Sequence, residues 1–273
     1  MSDLSMTAHG VAMPSPAVRR IGFADLQAAL AEGWRDFLAI PTQLVFLCIL
    51  YPIIGLVAAR VAVGSNLLPL VFPLVAGFAL VGPVLAIGLY ELSRRREAGL
   101  PVSWLNAFDV LRNPAMLSVA VLGGVLFVIF FAWLGAARAI YALTIGGEAP
   151  SAVGDFIETI QASPHAWQLL VVGNAVGFLF ALVVLTIAAV SFPLLLDRNV
   201  SPLVAVQTSV RAVAANPGTM LAWGFIVAAV LFLGCLPLFV GLAVAMPVLG
   251  HATWHLYRRV VAPGCPGPPG AGW

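Results

Sequence analysis

Uncharged apolar runs long enough to cross a bilayer recur along this chain: Gln43 to Ala59, Leu67 to Tyr90, Pro114 to Ala137 and Ala166 to Leu196, then one from Ala212 to Tyr257. Few folds accommodate that pattern. In hydrocarbon each segment must satisfy its own backbone amides, so each run is expected to be a helix. A core ~30 Å thick takes about 20 residues per helix, so the last run is two spans with a turn at Gly234-Cys235-Leu236-Pro237. The count becomes six. With 9% charged residues, against about 25% in soluble domains, an ordinary soluble fold is excluded. The net charge of +2 gives no nucleic-acid signature.

Charge placement supplies the orientation. All thirteen basic residues are Arg, and cytoplasmic loops of membrane proteins are enriched in basic residues. With the N-terminus inside, Arg19, Arg20, Arg35, Arg94, Arg95, Arg96, Arg112, Arg198, Arg211, Arg258 and Arg259 fall on the cytoplasmic side, leaving Arg60 and Arg138 at outer helix ends. The outer loop from Thr144 to His165 carries Glu148, Asp155 and Glu158 and no basic residue. Both termini are therefore expected in the cytoplasm. Cys48, Cys235 and Cys265 form neither a disulfide framework nor a metal spacing.

Three shorter segments have helical periodicity but are too polar to cross. They carry the stripes Phe23, Leu26, Leu30, Trp34, Phe37, Leu38; Trp104, Ala107, Phe108, Leu111; and Leu203, Val206, Val210, Val213. Ser201-Pro202 is a strong start signal for the third. All lie on the Arg-rich side, as interfacial helices would, and each leads through a proline (Pro41, Pro114, Pro217) into a span. Gly82-Pro83-Val84-Leu85 and Met246-Pro247-Val248-Leu249 sit at equal offsets from Arg94-Arg95 and Arg258-Arg259, and Phe192-Pro193-Leu194-Leu195 is a shorter version. The expected fold is all-α: six transmembrane helices plus three cytoplasmic interfacial amphipathic helices, arranged as three helix-plus-hairpin repeats. Each amphipathic segment is expected to dock with its own following hairpin. Residues 1–18 and the Pro/Gly-rich 263–273 read as disordered tails around a membrane domain at 19–262.

Four stretches, IGFADLQAALAEGWRD (21–36), FPLVAGFALVGPVLAIGLYELSRRR (72–96), GLPVSWLNAFDVLRNP (99–114) and GHATWHLYRR (250–259), resemble a family of predicted bacterial integral membrane proteins with a domain of unknown function. Members are sometimes labelled cytochrome c oxidase subunit I-like. Haem and copper centres of that kind need several intramembrane histidines, and this chain has only His9, His165, His251 and His255. The resemblance thus implies a fold and a location but no site.

His251 and His255, four apart on one helix face, are the candidate metal or haem ligands; the competing reading places them in an aromatic interfacial belt with Trp254 and Tyr257. Glu91 is read as a local ion pair with Arg94 and Arg95. Gly173-Asn174-Ala175-Val176-Gly177 suits close helix contact, within the chain or with another subunit. No soluble catalytic motif is present. The expectation is a non-enzymatic membrane component without a cofactor, binding membrane lipids or a membrane protein partner, a second copy included. A small-molecule transporter or channel, suggested by the proline-interrupted spans, is the alternative, and a haem- or metal-binding redox protein the third.

Overall fold

A computed structural model describes residues 16–40, 70, 71, 73, 74, 82–146, 153–198, 200–237 and 239–263. The expected first span, most of the second, and the tails 1–15 and 264–273 lie outside the described residues. Among those described there are nine α-helices, one 3-10 helix and no strand, only an isolated antiparallel bridge between Val18 and Val261.

In chain order the elements are α1 (Phe23–Ala39), α2 (Ile87–Glu97), the 3-10 helix (Trp104–Arg112), α3 (Met116–Thr144), α4 (Val153–Ala162), α5 (Ala166–Ala188), α6 (Ser191–Asp197), α7 (Pro202–Ala215), α8 (Pro217–Cys235) and α9 (Leu242–Val260). By length and composition α3, the stretch Ala166–Asp197 and α8 can each cross a membrane. The turn expected near Gly234 is where α8 gives way to α9. Phe239 there adopts φ 65°, and Gly241 approaches so closely that a Cβ on it would lie 2.8 Å from the Gly234 Cα.

The stretch from Ala166 breaks into α5 and α6 because Pro193 has no amide to donate and its ring crowds the carbonyl four residues back, at Ala189. Nearby polar groups are satisfied by serines. The Val190 amide donates to Ser209 Oγ at 3.3 Å, and Ser191 Oγ donates to the Ile187 carbonyl.

The ends of three runs, α2, α6 and α9, pack against one another at the Arg-rich end. Tyr90, Phe192 and Trp254, one from each, are buried in a single apolar cluster. Around this triangle sit the amphipathic segments, in an arrangement that differs from the expected one. The 3-10 helix packs chiefly on α2, α7 on α5 and α6, and α1 along α9. Each thus seats mainly on the helix that ends the run before it, and for α1 that place is taken by α9, the last of the described helices.

Small side chains decide this seating, because they let backbones approach. A Cβ on Gly33 of α1 would lie 2.6 Å from the Ala252 amide of α9, and one on Gly88 of α2 would lie 3.0 Å from the Ala107 Cβ of the 3-10 helix. The face of α1 turned to protein is Leu26, Ala29, Gly33, Asp36 and Phe37; that of α7 is Ala205, Thr208, Ser209 and Ala212. The periodic stripes read from sequence therefore split. Leu26 and Phe37 turn inward, while Phe23, Trp34, Leu38, Leu203 and Val210 stay exposed.

Gly33→Ala should accordingly cost about 1–3 kcal/mol by overpacking, although alanine is the better helix former. Gly124→Ala, with nothing within 4 Å of the new methyl, should be neutral or stabilising. Thermal unfolding in detergent checks both.

Candidate functional site

Where α1 crosses α2 and α9, polar side chains on three helices meet in a place that residue spacing did not reveal. Asp36, near the C-terminal end of α1, is 5% exposed. Its Oδ2 accepts from Ser93 Oγ of α2 at 2.6 Å and contacts His255 Nε2 of α9 at 2.8 Å, while Arg96 of α2 donates to Oδ1 at 2.8 Å. Arg96 also donates to the Arg35 carbonyl at 2.7 Å, which holds the end of α1.

On its far side, His255 Nδ1 lies 3.2 Å from Glu32 Oε2. Arg259 grips that carboxylate with two bonds of 2.8 Å, the bidentate geometry that suits guanidinium and carboxylate. His251, one turn deeper on α9, is fully buried, with Nδ1 2.8 Å from Ser93 Oγ. Ser93 has one proton, which goes to Asp36. The Nδ1 contact therefore needs the proton on Nδ1, leaving His251 Nε2 buried with no hydrogen-bond partner. The result is one connected chain: His251, Ser93, Asp36, His255, Glu32, Arg259.

The electrostatics follow from these contacts. Burial pushes the Asp36 carboxyl up, but hydrogen bonds from His255 and Ser93 outweigh it and hold the group below its ordinary value. For Glu32 the Arg259 hydrogen bond is the main influence and lowers it, against the upward push of burial. Both carboxylates stay charged, and the arrangement clasps α1 to α9.

A second polar knot joins α2, α6 and α9. Arg258 reaches Glu97 at 2.9 Å and Asp197 at 3.4 Å, Trp254 donates to Glu97, and Tyr257 donates to Asp197. Trp254 and Tyr257 are thus core residues and form no lipid-facing belt. His251 and His255 are brought together in the clasp, His251 bonded to a serine and His255 set between two carboxylates. Among the described residues no three His, Cys, Asp or Glu side chains are grouped as metal ligands. Glu91 pairs with Arg94 in two bonds of 2.7 and 2.8 Å, whereas Arg95 turns away to Asp109 of the 3-10 helix. Asn216 was also missed: it ties α7 to the entry of α1, accepting from the Ile21 amide and donating to the Arg19 carbonyl.

Long apolar helices, lipid-length by composition and gathered at an Arg-rich end, define an integral membrane protein with transmembrane helices. Residues 71–197 match the model of the family described as predicted integral membrane protein (DUF2189), the family of unassigned function that the sequence resembles. The stretches 21–36 and 250–259, which hold most of the clasp, lie outside the matched segment. No curated protein and no solved structure matches the chain.

Two outcomes check the clasp. Asp36→Ala should cost about 3 kcal/mol, since it leaves His255 and Arg96 without their buried partner. Because Glu32 and Asp36 are both held low, their contribution is complete above the ordinary carboxylate values of 4.5 and 3.8 and is lost only as pH falls through the lowered ones. Melting temperature measured from pH 7 to about pH 3 should show that late loss, and Ser93→Ala should move it to higher pH.

Proposed function

We propose that this chain is a non-enzymatic component of the bacterial cytoplasmic membrane that binds lipid at the inner leaflet through its three amphipathic segments. Six spans with both termini in the cytoplasm complete the reading. The observation that carries it is the exposure of large apolar side chains on those segments. Phe23, Trp34 and Leu38 on α1, Trp104, Leu105, Phe108 and Leu111 on the 3-10 helix, and Leu203 and Val210 on α7 are all exposed, while the protein-facing sides carry small residues together with Leu26 and Phe37. Aromatic and aliphatic groups take that position when the medium outside is the acyl boundary. Arg20, Arg35 and Arg112 are exposed beside them, and each basic residue near an anionic surface contributes ~1 kcal/mol.

A threefold repeat fits the same picture. On that reading Tyr90-Glu91-Leu92, Phe192-Pro193-Leu194 and Trp254-His255-Leu256 are the corresponding triplets, and in each the aromatic residue and the leucine are buried. Two residues before each aromatic lies the seat of an amphipathic segment: Gly88 under Ala107, Val190 under Ser209, Ala252 under Gly33. The register set by these aromatics differs from the one suggested by the prolines, which is why the middle copy looked short. Among the described residues the buried ionisable side chains lie at the Arg-rich end, whereas the polar group buried in the middle of α3 is the Trp133 indole N–H, bonded to the Pro73 carbonyl at 3.0 Å. Transporters bind at the midplane, so this placement supports lipid binding over transport.

A nitroxide on a single cysteine at Phe23 should report the acyl boundary in phosphatidylglycerol bilayers by oxygen accessibility, and one at Ala39, about 160° round α1, should report water. Equal aqueous accessibility at both would overturn the lipid reading. Orientation is tested separately: in intact cells Asp155→Cys should react with an impermeant thiol reagent and Gln207→Cys should not.

A further inference from the structure

The G-x-x-x-G stretch of α5 divides into two uses. Gly177 is taken inside the chain, where a Cβ would lie 3.1 Å from the Trp133 ring. Gly173 has nothing within 4 Å, and the residue after it, Asn174, is exposed. Its surroundings are apolar: Leu170, Val171, Ala175 and Phe178 are exposed around it. Counting from the exposed Trp167, at 1.5 Å per residue, Asn174 sits ~10 Å inside the span. Its Nδ2 donates to the Leu170 carbonyl at 2.7 Å, which uses one of its two protons. The second proton and the Oδ1 acceptor have no partner among the described residues.

A carboxamide facing hydrocarbon is costly, and it is relieved when it meets another polar group across a helix interface. We propose that Asn174 marks a self-association face, and that its occupant is α5 of a second copy of this chain. The amide favours that occupant because it is self-complementary. About a twofold axis, the free N–H of each Asn174 donates to Oδ1 of the other, so one residue type satisfies both copies. Gly173 leaves room for the approaching backbone. Gly177, packed against the Trp133 ring, takes no part, so the contact centres on Leu170, Val171 and Asn174.

The test uses the full-length chain with Cys48, Cys235 and Cys265 replaced by serine, in native membranes. A single cysteine at Leu170, one turn from Asn174, should oxidise to a covalent species of twice the chain's mass. One at Leu179, about 140° round the helix, should not. Asn174→Leu added to the Leu170 variant should weaken association about tenfold, and Asn174→Gln should restore most of it. Since Asn174 is exposed, these variants should melt like the parent in detergent, which separates loss of contact from loss of fold. Crosslinking that Asn174→Leu leaves unchanged, equal crosslinking at Leu179, a monomer throughout, or a product whose mass is not two chains would each overturn the proposal.

Discussion

Asp36 carries a negative charge into a place with almost no water, and the Arg-rich end of the molecule is organised around answering it. A carboxylate so placed is tolerable only when charged or strongly donating groups surround it. Two helices contribute: Ser93 and Arg96 from α2 and His255 from α9, with Arg96 also holding the end of α1 through the Arg35 carbonyl. Close packing makes this possible, because Gly33 brings the α1 backbone against Ala252 and so sets the polar atoms within hydrogen-bond reach. Without that approach the charges would be too far apart to compensate for lost hydration. A longer side chain at Gly33 would therefore disturb the ion pairs as well as the packing.

Much of the architecture was legible in the sequence, and the parts that were not have definite causes. Long uncharged runs announce helices because hydrocarbon admits little else, and Gly234 to Pro237 announced a turn because a run that long cannot cross once. The Glu91 and Arg94 pair was readable because partners three residues apart on a helix are neighbours whatever surrounds them. What failed to show was everything that depends on which face meets which helix. Periodicity identified the apolar residues of α1 but treated Leu26 and Trp34 as one stripe, although one faces protein and the other faces outward. Asp36 looked like an ordinary polar-face residue, and Ser93 gave no signal at all. His251 and His255 were visible as a spaced pair, but their partners are remote in sequence: Ser93 on α2 for His251, and for His255 two carboxylates on α1, more than 200 residues away.

Soluble helices usually bury their largest apolar side chains and expose their small ones. Here the assignment is partly reversed: on α7 alanine, serine and threonine form the contacts, on α1 Ala29 and Gly33 share them with Leu26 and Phe37, and Phe23, Trp34, Leu38 and Leu203 remain outside. The reversal is what helix association without a hydrophobic driving force calls for, since close approach and hydrogen bonds replace area burial as the source of stability.

The seating of α1 on α9 also orders events in time. Chains are made from the N-terminus, so α1 leaves the ribosome well before α9. Until α9 arrives, Glu32 and Asp36 have no His255 or Arg259 to meet, and the small-residue face of α1 has no Ala252 to cover it. Every other amphipathic segment finds its seat already made. Only α1 is made well before its seat, so its docking on α9 must follow the synthesis of the helices between them.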